Sequence, residues 1–298
     1  MKSSRQYYAF CADDNYALPL AVTLMSLEAK LPVEKEAIFY ILSNSLTLKN
    51  RELIQSSLKN DNIIIRWVHV ESSPINKLPI LEHFGRTAYL RLLLGENLDT
   101  NVEKVVYLDA DMLIHKDPTN LWETELTFKP LAAVQGSNCK HYNELSIGPS
   151  PYFNSGVMVI DMNYWRSEKI GSRCIRWMQD NASSLHLADQ DGLNKFYNGN
   201  WQKLDPRWNV FTQFYKSSKW KESPYSLPEI VQIASDAWIT HYNGVTKPWT
   251  TPDYDLPSQK EFLSYVERSP WRGIQPRRPS SRHKSFLKLA NKFGLLTR

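Results

Sequence analysis

Two aspartates two residues apart, Asp109 and Asp111, close the run Val105-Val106-Tyr107-Leu108. That apolar, β-branched run reads as a buried strand. Carboxylates at i and i+2 of an extended chain point to one side. Two hard oxygen ligands therefore meet at the C-terminal edge of a strand, where open α/β sheets hold their ligands. Carboxylates this close repel each other, and a divalent cation relieves the repulsion. Taken alone the triplet is common, and a strand ending in two solvated acids reads the same way. A second segment, His241-Tyr242-Asn243-Gly244-Val245-Thr246-Lys247-Pro248-Trp249, follows the extended pair Ile239-Thr240. A lone histidine is usually a hydrogen-bonded structural residue. Here Gly244 lets backbone come close to a ligand, and Lys247 offers a point charge for a phosphate. One imidazole with two carboxylates suits Mn²⁺.

The elements that must position these groups are legible from periodicity. Strands are expected at Tyr7 to Ala12, Ala37 to Leu42, Ile63 to Val70 and Val105 to Leu108, with further central strands at Leu131 to Val134 and Val157 to Asp161. Helices are expected at Leu18 to Lys30, Thr47 to Lys59, Ala88 to Leu94, Trp165 to Asn181 and Gln190 to Tyr197. The β-α-β-α-β alternation predicts an α/β fold, a mixed and mostly parallel sheet flanked by helices. Pro206 to Pro257, rich in Pro, Trp and polar residues, reads as long loops around a site. No glycine-rich phosphate loop follows the first strand; Ala12-Asp13-Asp14-Asn15-Tyr16 stands there instead. Its acids cap a helix or read a nucleobase edge, with Tyr16 stacking on the ring; both readings can hold on different residues.

Composition narrows the function. The 298 residues are 42% hydrophobic, enough for a sizeable core. Nine of the 36 Lys and Arg lie in residues 268–298, which contain no acid, leaving 27 basic against 31 acidic residues in the body. A net-acidic body argues against nucleic-acid binding. Cys11, Cys139 and Cys174 have no metal-type spacing, and their odd number fits a reducing compartment. No stretch is long and apolar enough to span a bilayer.

Six segments in order, Phe10 to Tyr16, Thr87 to Gly95, Val105 to Leu113, Tyr152 to Asp161, Asp189 to Asn194 and His241 to Trp249, carry a specific resemblance. In them the chain resembles the family 8 glycosyltransferases, the group that includes glycogenin and bacterial lipooligosaccharide galactosyltransferases. The resemblance implies a nucleotide-sugar-binding, Rossmann-like fold of the GT-A type. It also implies retaining transfer of galactose or glucose from a UDP-sugar to a hydroxyl of a glycan or glycoconjugate, in lipopolysaccharide or glycan biosynthesis. On that basis Asp109, Asp111 and His241 bind Mn²⁺ (or Mg²⁺). Asp13, Asn15 and Tyr16 contact the uridine, and Asp111 the ribose. Arg91 reaches the donor's phosphate or sugar, and Gly244 and Lys247 hold the diphosphate. Asn154 and Asp189 bind hydroxyls of the transferred sugar, and Gln190 lies near its anomeric carbon, making Asp189 and Gln190 the catalytic pair. Gln190 is a poor nucleophile, which favours front-face attack over a covalent intermediate. One departure is Gln135-Gly136, where relatives carry an acid near the sugar and acceptor.

The domain expectation is a catalytic unit at 1–267 and a basic linker and tail at 268–298. Phe286, Leu289, Ala290 and Phe293 make a helical stripe accompanied by Lys284, Lys288, Lys292 and Arg298. Such a helix suits an anionic membrane surface, and so a cytoplasmic protein held peripherally at the inner face. Two rival readings are a non-catalytic nucleotide-sugar-binding module and a D-x-D phosphatase of the haloacid dehalogenase type; Leu113 stands where the latter wants Thr or Val.

Overall fold

The structure is a computed structural model that describes residues 5–81, 85–136, 143–148, 151–212, 223–244, 246–251 and 257–274. The tail stripe and Cys139 lie outside the described residues. The strands are β1 (Arg5–Cys11), β2 (Glu36–Ser43), β3 (Ile63–His69), β4 (Lys104–Leu108), β5 (Met112–Ile114), β6 (Leu131–Gln135), β7 (Phe153–Asp161), β8 (Gln202–Lys203), β9 (Val210–Phe211) and β10 (Ile239–His241). The helices are α1 (Ala17–Glu28), α2 (Leu48–Ser57), α3 (Leu94–Asn97), α4 (Thr119–Trp122), α5 (Met162–Ser167), α6 (Ile170–Asp180), α7 (Asp189–Tyr197), α8 (Leu227–Ser235) and α9 (Pro257–Glu267).

Seven strands form one sheet in the order β3-β2-β1-β4-β7-β6-β8. Strands β1 to β4 run parallel, β7 runs antiparallel to β4 and β6, and β8 is parallel to β6. The sheet is mixed and mostly parallel, as the alternation of elements predicts. Both of its faces are covered, which explains why its strands read as continuous apolar runs. Tyr8, Phe10, Val106 and Leu108 pack under α1 on one face. Ala9, Cys11, Val105 and Tyr107 pack on the other against α5, α6 and α7. A small second sheet, β5-β10-β9, carries His241.

Two side chains of α1 fix where the acidic pair sits. The Thr23 hydroxyl accepts from the Met112 N–H at 3.0 Å and lies 3.0 Å from the Ala110 carbonyl. The Ser26 hydroxyl accepts from the Ile114 N–H at 3.1 Å. Helix α1 is thus stitched to the strand that begins immediately after Asp111.

Three expectations need correction. The single helix at Trp165 to Asn181 is two, α5 and α6, broken at Lys169, whose φ of 51° is left-handed. The break redirects the chain so that Gly171 meets the Leu92 carbonyl; a Cβ at Gly171 would lie 1.7 Å from that oxygen. The expected helix at Ala88 to Leu94 is a 3-10 segment, Arg86–Leu93, that runs into α3. Its threefold period aligns i with i+3, and the Arg91 Nε donates to the Ala88 carbonyl at 3.0 Å. Pro206 to Pro257 is not all loop, since it contains β9, α8 and β10. The local pattern there is weak because those strands are two and three residues long.

The Gly171 contact is with backbone, which cannot swing away. Gly171→Ala is expected to cost on the order of 3 kcal/mol of unfolding free energy, at the upper end for overpacking. Urea denaturation measures it, and a change within 0.5 kcal/mol (the typical scatter for surface substitutions, roughly) would contradict the packing.

Candidate active site

Backbone pairing brings the acids and the imidazole together. Strand β4 ends with the Asp109 N–H donating to the Gly156 carbonyl at 2.9 Å, and the Tyr242 N–H donates to the Asp111 carbonyl at 3.0 Å. The β5–β10 register sets His241 opposite Met112. In consequence Asp109, Asp111 and His241 each offer a ligand atom, all within 4.8 Å of one another. His241 Nε2 lies 3.5 Å from Asp109 Oδ2 and 3.4 Å from Asp111 Oδ1.

Hydrogen bonding assigns the imidazole tautomer. The Gly156 N–H donates to Asn154 at 2.9 Å, so the Asn154 atom it meets is Oδ1. Asn209 also bonds Asn154 Oδ1, at 2.8 Å, and must do so through Nδ2. That turns Asn209 Oδ1 toward His241 Nδ1 at 2.9 Å, and Nδ1 carries the proton. In the neutral ring Nε2 is then a lone pair facing two carboxylate oxygens. In that tautomer three acceptors converge, an arrangement that a divalent cation satisfies and that hard oxygens with one imidazole suit. Gly156 leaves the room for it, since a Cβ there would lie 2.6 Å from His241 Cε1 and 2.7 Å from Asp109 Oδ2.

Each carboxylate has its other oxygen held by a protein cation. Asp109 Oδ1 accepts from Arg91 Nη2 at 2.9 Å and from the Tyr107 hydroxyl at 3.0 Å. Asp111 Oδ2 accepts from Lys247 Nζ at 2.5 Å. Burial, the largest single influence, would push the Asp111 carboxyl up, but Lys247 and His241 together overcome it and hold the group well below the usual carboxylate range.

Arg91, only 5% exposed, ties the acidic pair to the remaining expected site residues. Its Nε meets Asp189 Oδ2 at 3.1 Å, its Nη1 donates to the Ser155 carbonyl at 2.8 Å, and its plane lies 4.6 Å from the Tyr107 ring centroid. The Ser155 hydroxyl donates to Asp189 Oδ2 at 2.9 Å. Asn154 Nδ2 donates to Gln190 Oε1 at 2.8 Å. Asp109, Asp111, His241, Lys247, Arg91, Asp189, Asn154 and Gln190 thus form one connected cluster. Here Arg91 is engaged by protein groups.

The first loop divides its work among its residues. Asp13 caps the turn Asp14–Tyr16 by accepting from the Asn15 and Tyr16 N–H groups, and its other oxygen accepts from the Thr87 hydroxyl at 2.8 Å. Asp14 accepts from the Thr47 N–H and the Asn50 amide at 2.8 Å each, bracing the start of α2. Asn15 is exposed. Tyr16 packs edge-on against Trp249 with Lys247 Nζ 5.9 Å from its ring centroid. Gly244, at φ 156°, has open space where a Cβ would stand. Tyr107, Ser155, Gly156, Thr87 and Asn209 join the site without having been singled out in the sequence. Tyr107 had a signal, lying two residues before Asp109 on the same strand face; Asn209 had none.

The doubly covered α/β sheet with an acidic pair at its strand edge is the arrangement of a GT-A glycosyltransferase fold, which a solved relative shares. The chain belongs to glycosyl transferase family 8, whose model matches residues 8–252. General stress protein A of Bacillus subtilis is 26% identical over 280 residues, 92% of this chain and 97% of that protein. A lipopolysaccharide 1,2-glucosyltransferase of Escherichia coli is 25% identical over 282 residues, 91% of this chain and 80% of its own. The solved structure of the galactosyltransferase LgtC, in complex with donor and acceptor sugar analogues, superposes with a TM-score of 0.77 at 26% identity, covering 94% of this chain and 99% of that one.

Burial pushes the Asp189 carboxyl up to about 6, against the opposing pull of Arg91. The folded chain therefore keeps a proton there that the unfolded chain releases near pH 3.8. Stability from this group is complete below that pH and is lost as the pH rises through about 6. The unfolding free energy of the wild type minus that of Asp189→Asn should fall by about 3 kcal/mol over that interval. Urea titrations in chelator from pH 4 to 7 measure it, and a flat difference would contradict the buried pairing.

Proposed function

We propose that this chain transfers a hexose, galactose or glucose, from a UDP-sugar to a hydroxyl of a glycan or glycoconjugate, with retention of configuration and with Mn²⁺. The observation that carries the reading is the convergence of Asp109, Asp111 and His241 within 4.8 Å, with two cationic side chains behind the carboxylates. Mn²⁺ held by these three residues supplies Lewis-acid stabilisation of the charge that grows on the departing UDP. Lys247 adds a point charge for the diphosphate, and the open backbone at Gly244 admits it. Asp13, Asn15 and Tyr16 take the uridine. Asn154 and Asp189 hold hydroxyls of the sugar, and Gln190, fixed by Asn154, lies beside the anomeric carbon. Arg91 serves the donor through Asp109 and Asp189, whose orientation it sets.

Gln190 offers an amide, which is a poor nucleophile. Asp191 is fully buried, and its carboxylate accepts from the Tyr152 hydroxyl and the His186 and Leu187 N–H groups. Front-face attack is favoured over a covalent intermediate on either of these two groups. The sugar C1–O bond to UDP breaks, a new C1–O bond forms to the acceptor oxygen on the same face, and a donor phosphate oxygen takes the acceptor proton. A panel of UDP-sugars should give Mn²⁺-dependent UDP release from UDP-galactose or UDP-glucose, lowered roughly 100-fold or more in Asp109→Asn. No release from any UDP-sugar despite bound Mn²⁺ would favour a non-catalytic nucleotide-sugar module, and a trapped glycosyl-enzyme adduct would overturn the front-face route.

We further propose two functional units, the catalytic unit at 1–267 and a basic segment at 268–298 that holds the protein peripherally on an anionic membrane. Among the described residues no helix is long and apolar enough to cross a membrane. Deleting residues 281–298 should abolish sedimentation with phosphatidylglycerol vesicles and leave UDP release intact. Undiminished sedimentation would remove the tail from the account.

A further inference from the structure

We propose that Lys247 is a built-in placeholder cation that holds Asp111 in the free protein, so that a divalent metal and a diphosphate nucleotide bind cooperatively through its release. The inference rests on the proposed metal site and diphosphate ligand, and it adds how the two are coupled.

Lys247 Nζ donates to Asp111 Oδ2 and to the Tyr242 carbonyl, each at 2.5 Å. It lies 5.9 and 5.5 Å from the ring centroids of Tyr16 and Trp249. Lys247 thus fills the electrostatic demand of one of the three converging ligands. An incoming dication must share Asp111 with an ammonium that the surrounding rings and carbonyl keep in place, and like charges there repel across a largely desolvated gap. Metal alone therefore binds weakly. A diphosphate reverses the balance, because it gives the ammonium a new anionic partner and lets Asp111 turn wholly to the metal.

Lysine suits this exchange where arginine would not. Its charge is a compact point on a flexible stem, whereas a guanidinium locks into several bonds at once. The site uses both kinds. Arg91 makes bonds to Asp109, Asp189, Ser155 and Ala88 and is buried among them. Lys247 hydrogen-bonds Asp111 and the Tyr242 carbonyl and lies beside the Tyr16 side chain, with no fork of bonds to lock it. It follows Gly244, whose φ of 156° favours glycine. Lys247 opens a turn in which its carbonyl accepts from the Thr250 and Thr251 N–H groups.

Electron paramagnetic resonance of Mn²⁺ added to the full-length chain tests the coupling without turnover. Mn²⁺ alone should bind Lys247→Met and Lys247→Gln about 10-fold or more tightly than wild type, and Lys247→Arg, which keeps the charge, no more tightly than wild type. UDP should strengthen Mn²⁺ binding more in wild type than in the Met and Gln variants. The rise in melting temperature on adding Mn²⁺, larger in those two variants, reads the same affinity in folded protein. Equal or weaker Mn²⁺ binding by both uncharged variants, with UDP still strengthening the wild type, would overturn the placeholder and leave the metal site standing. Failure of Mn²⁺ to bind any of the proteins even with UDP would overturn the metal site itself, and the placeholder with it.

Discussion

Repulsion between Asp109 and Asp111 is the constraint around which the rest of the site is arranged. The two carboxylates cannot move apart. Asp109 is tied by its backbone to Gly156 across the large sheet, and Asp111 to Tyr242 across the small one. Helix α1 holds the next residues through Thr23 and Ser26. Two negative charges fixed this close in a half-buried seam demand positive charge from somewhere. Arg91 and Lys247 supply it from opposite sides, each taking one oxygen and leaving the other turned to His241. The site is thus neutralised from behind and acceptor-rich in front.

The same logic accounts for Asp189. A third carboxylate joins the Arg91 guanidinium, and burial raises its pKa against the pull of that cation. The guanidinium lies over Tyr107, whose hydroxyl also bonds Asp109. The 3-10 segment that carries Arg91 is wedged in place by Gly171 of α6 against Leu92. Positioning of the acidic pair therefore reaches three layers deep, from strand edge to guanidinium to helix packing.

How far this was legible in the sequence follows from the range of each interaction. Asp109 and Asp111 stand out because strand period two is a local signal, and the apolar run before them marks the strand. His241 stands out because a short extended pair leads into it. The sheet order beyond the first alternations is set by pairing between distant strands, so β7 running antiparallel between β4 and β6 had no local mark. The break at Lys169 has no local mark because apolar residues continue at helical spacing on both sides of it. Asn209 was invisible for a different reason. Its role is to orient His241 and Asn154 at once, and nothing in Pro206-Arg207-Trp208 distinguishes such an amide from an ordinary turn residue.

Asn209 also shows why the metal reading does not depend on the carboxylates alone. Had its carboxamide been turned the other way, Nδ2 would face His241 Nδ1 and the protonated nitrogen would be Nε2, donating a hydrogen bond into the acidic pair. The Gly156 N–H prevents that, because it can only donate, and its donation fixes Asn154 Oδ1 and, through it, Asn209. A backbone amide at a glycine thereby decides that it is Nε2 whose lone pair, in the neutral ring, faces the two carboxylates. The choice of tautomer at this point is built into the sheet's own hydrogen bonding, several bonds away from the ligands themselves.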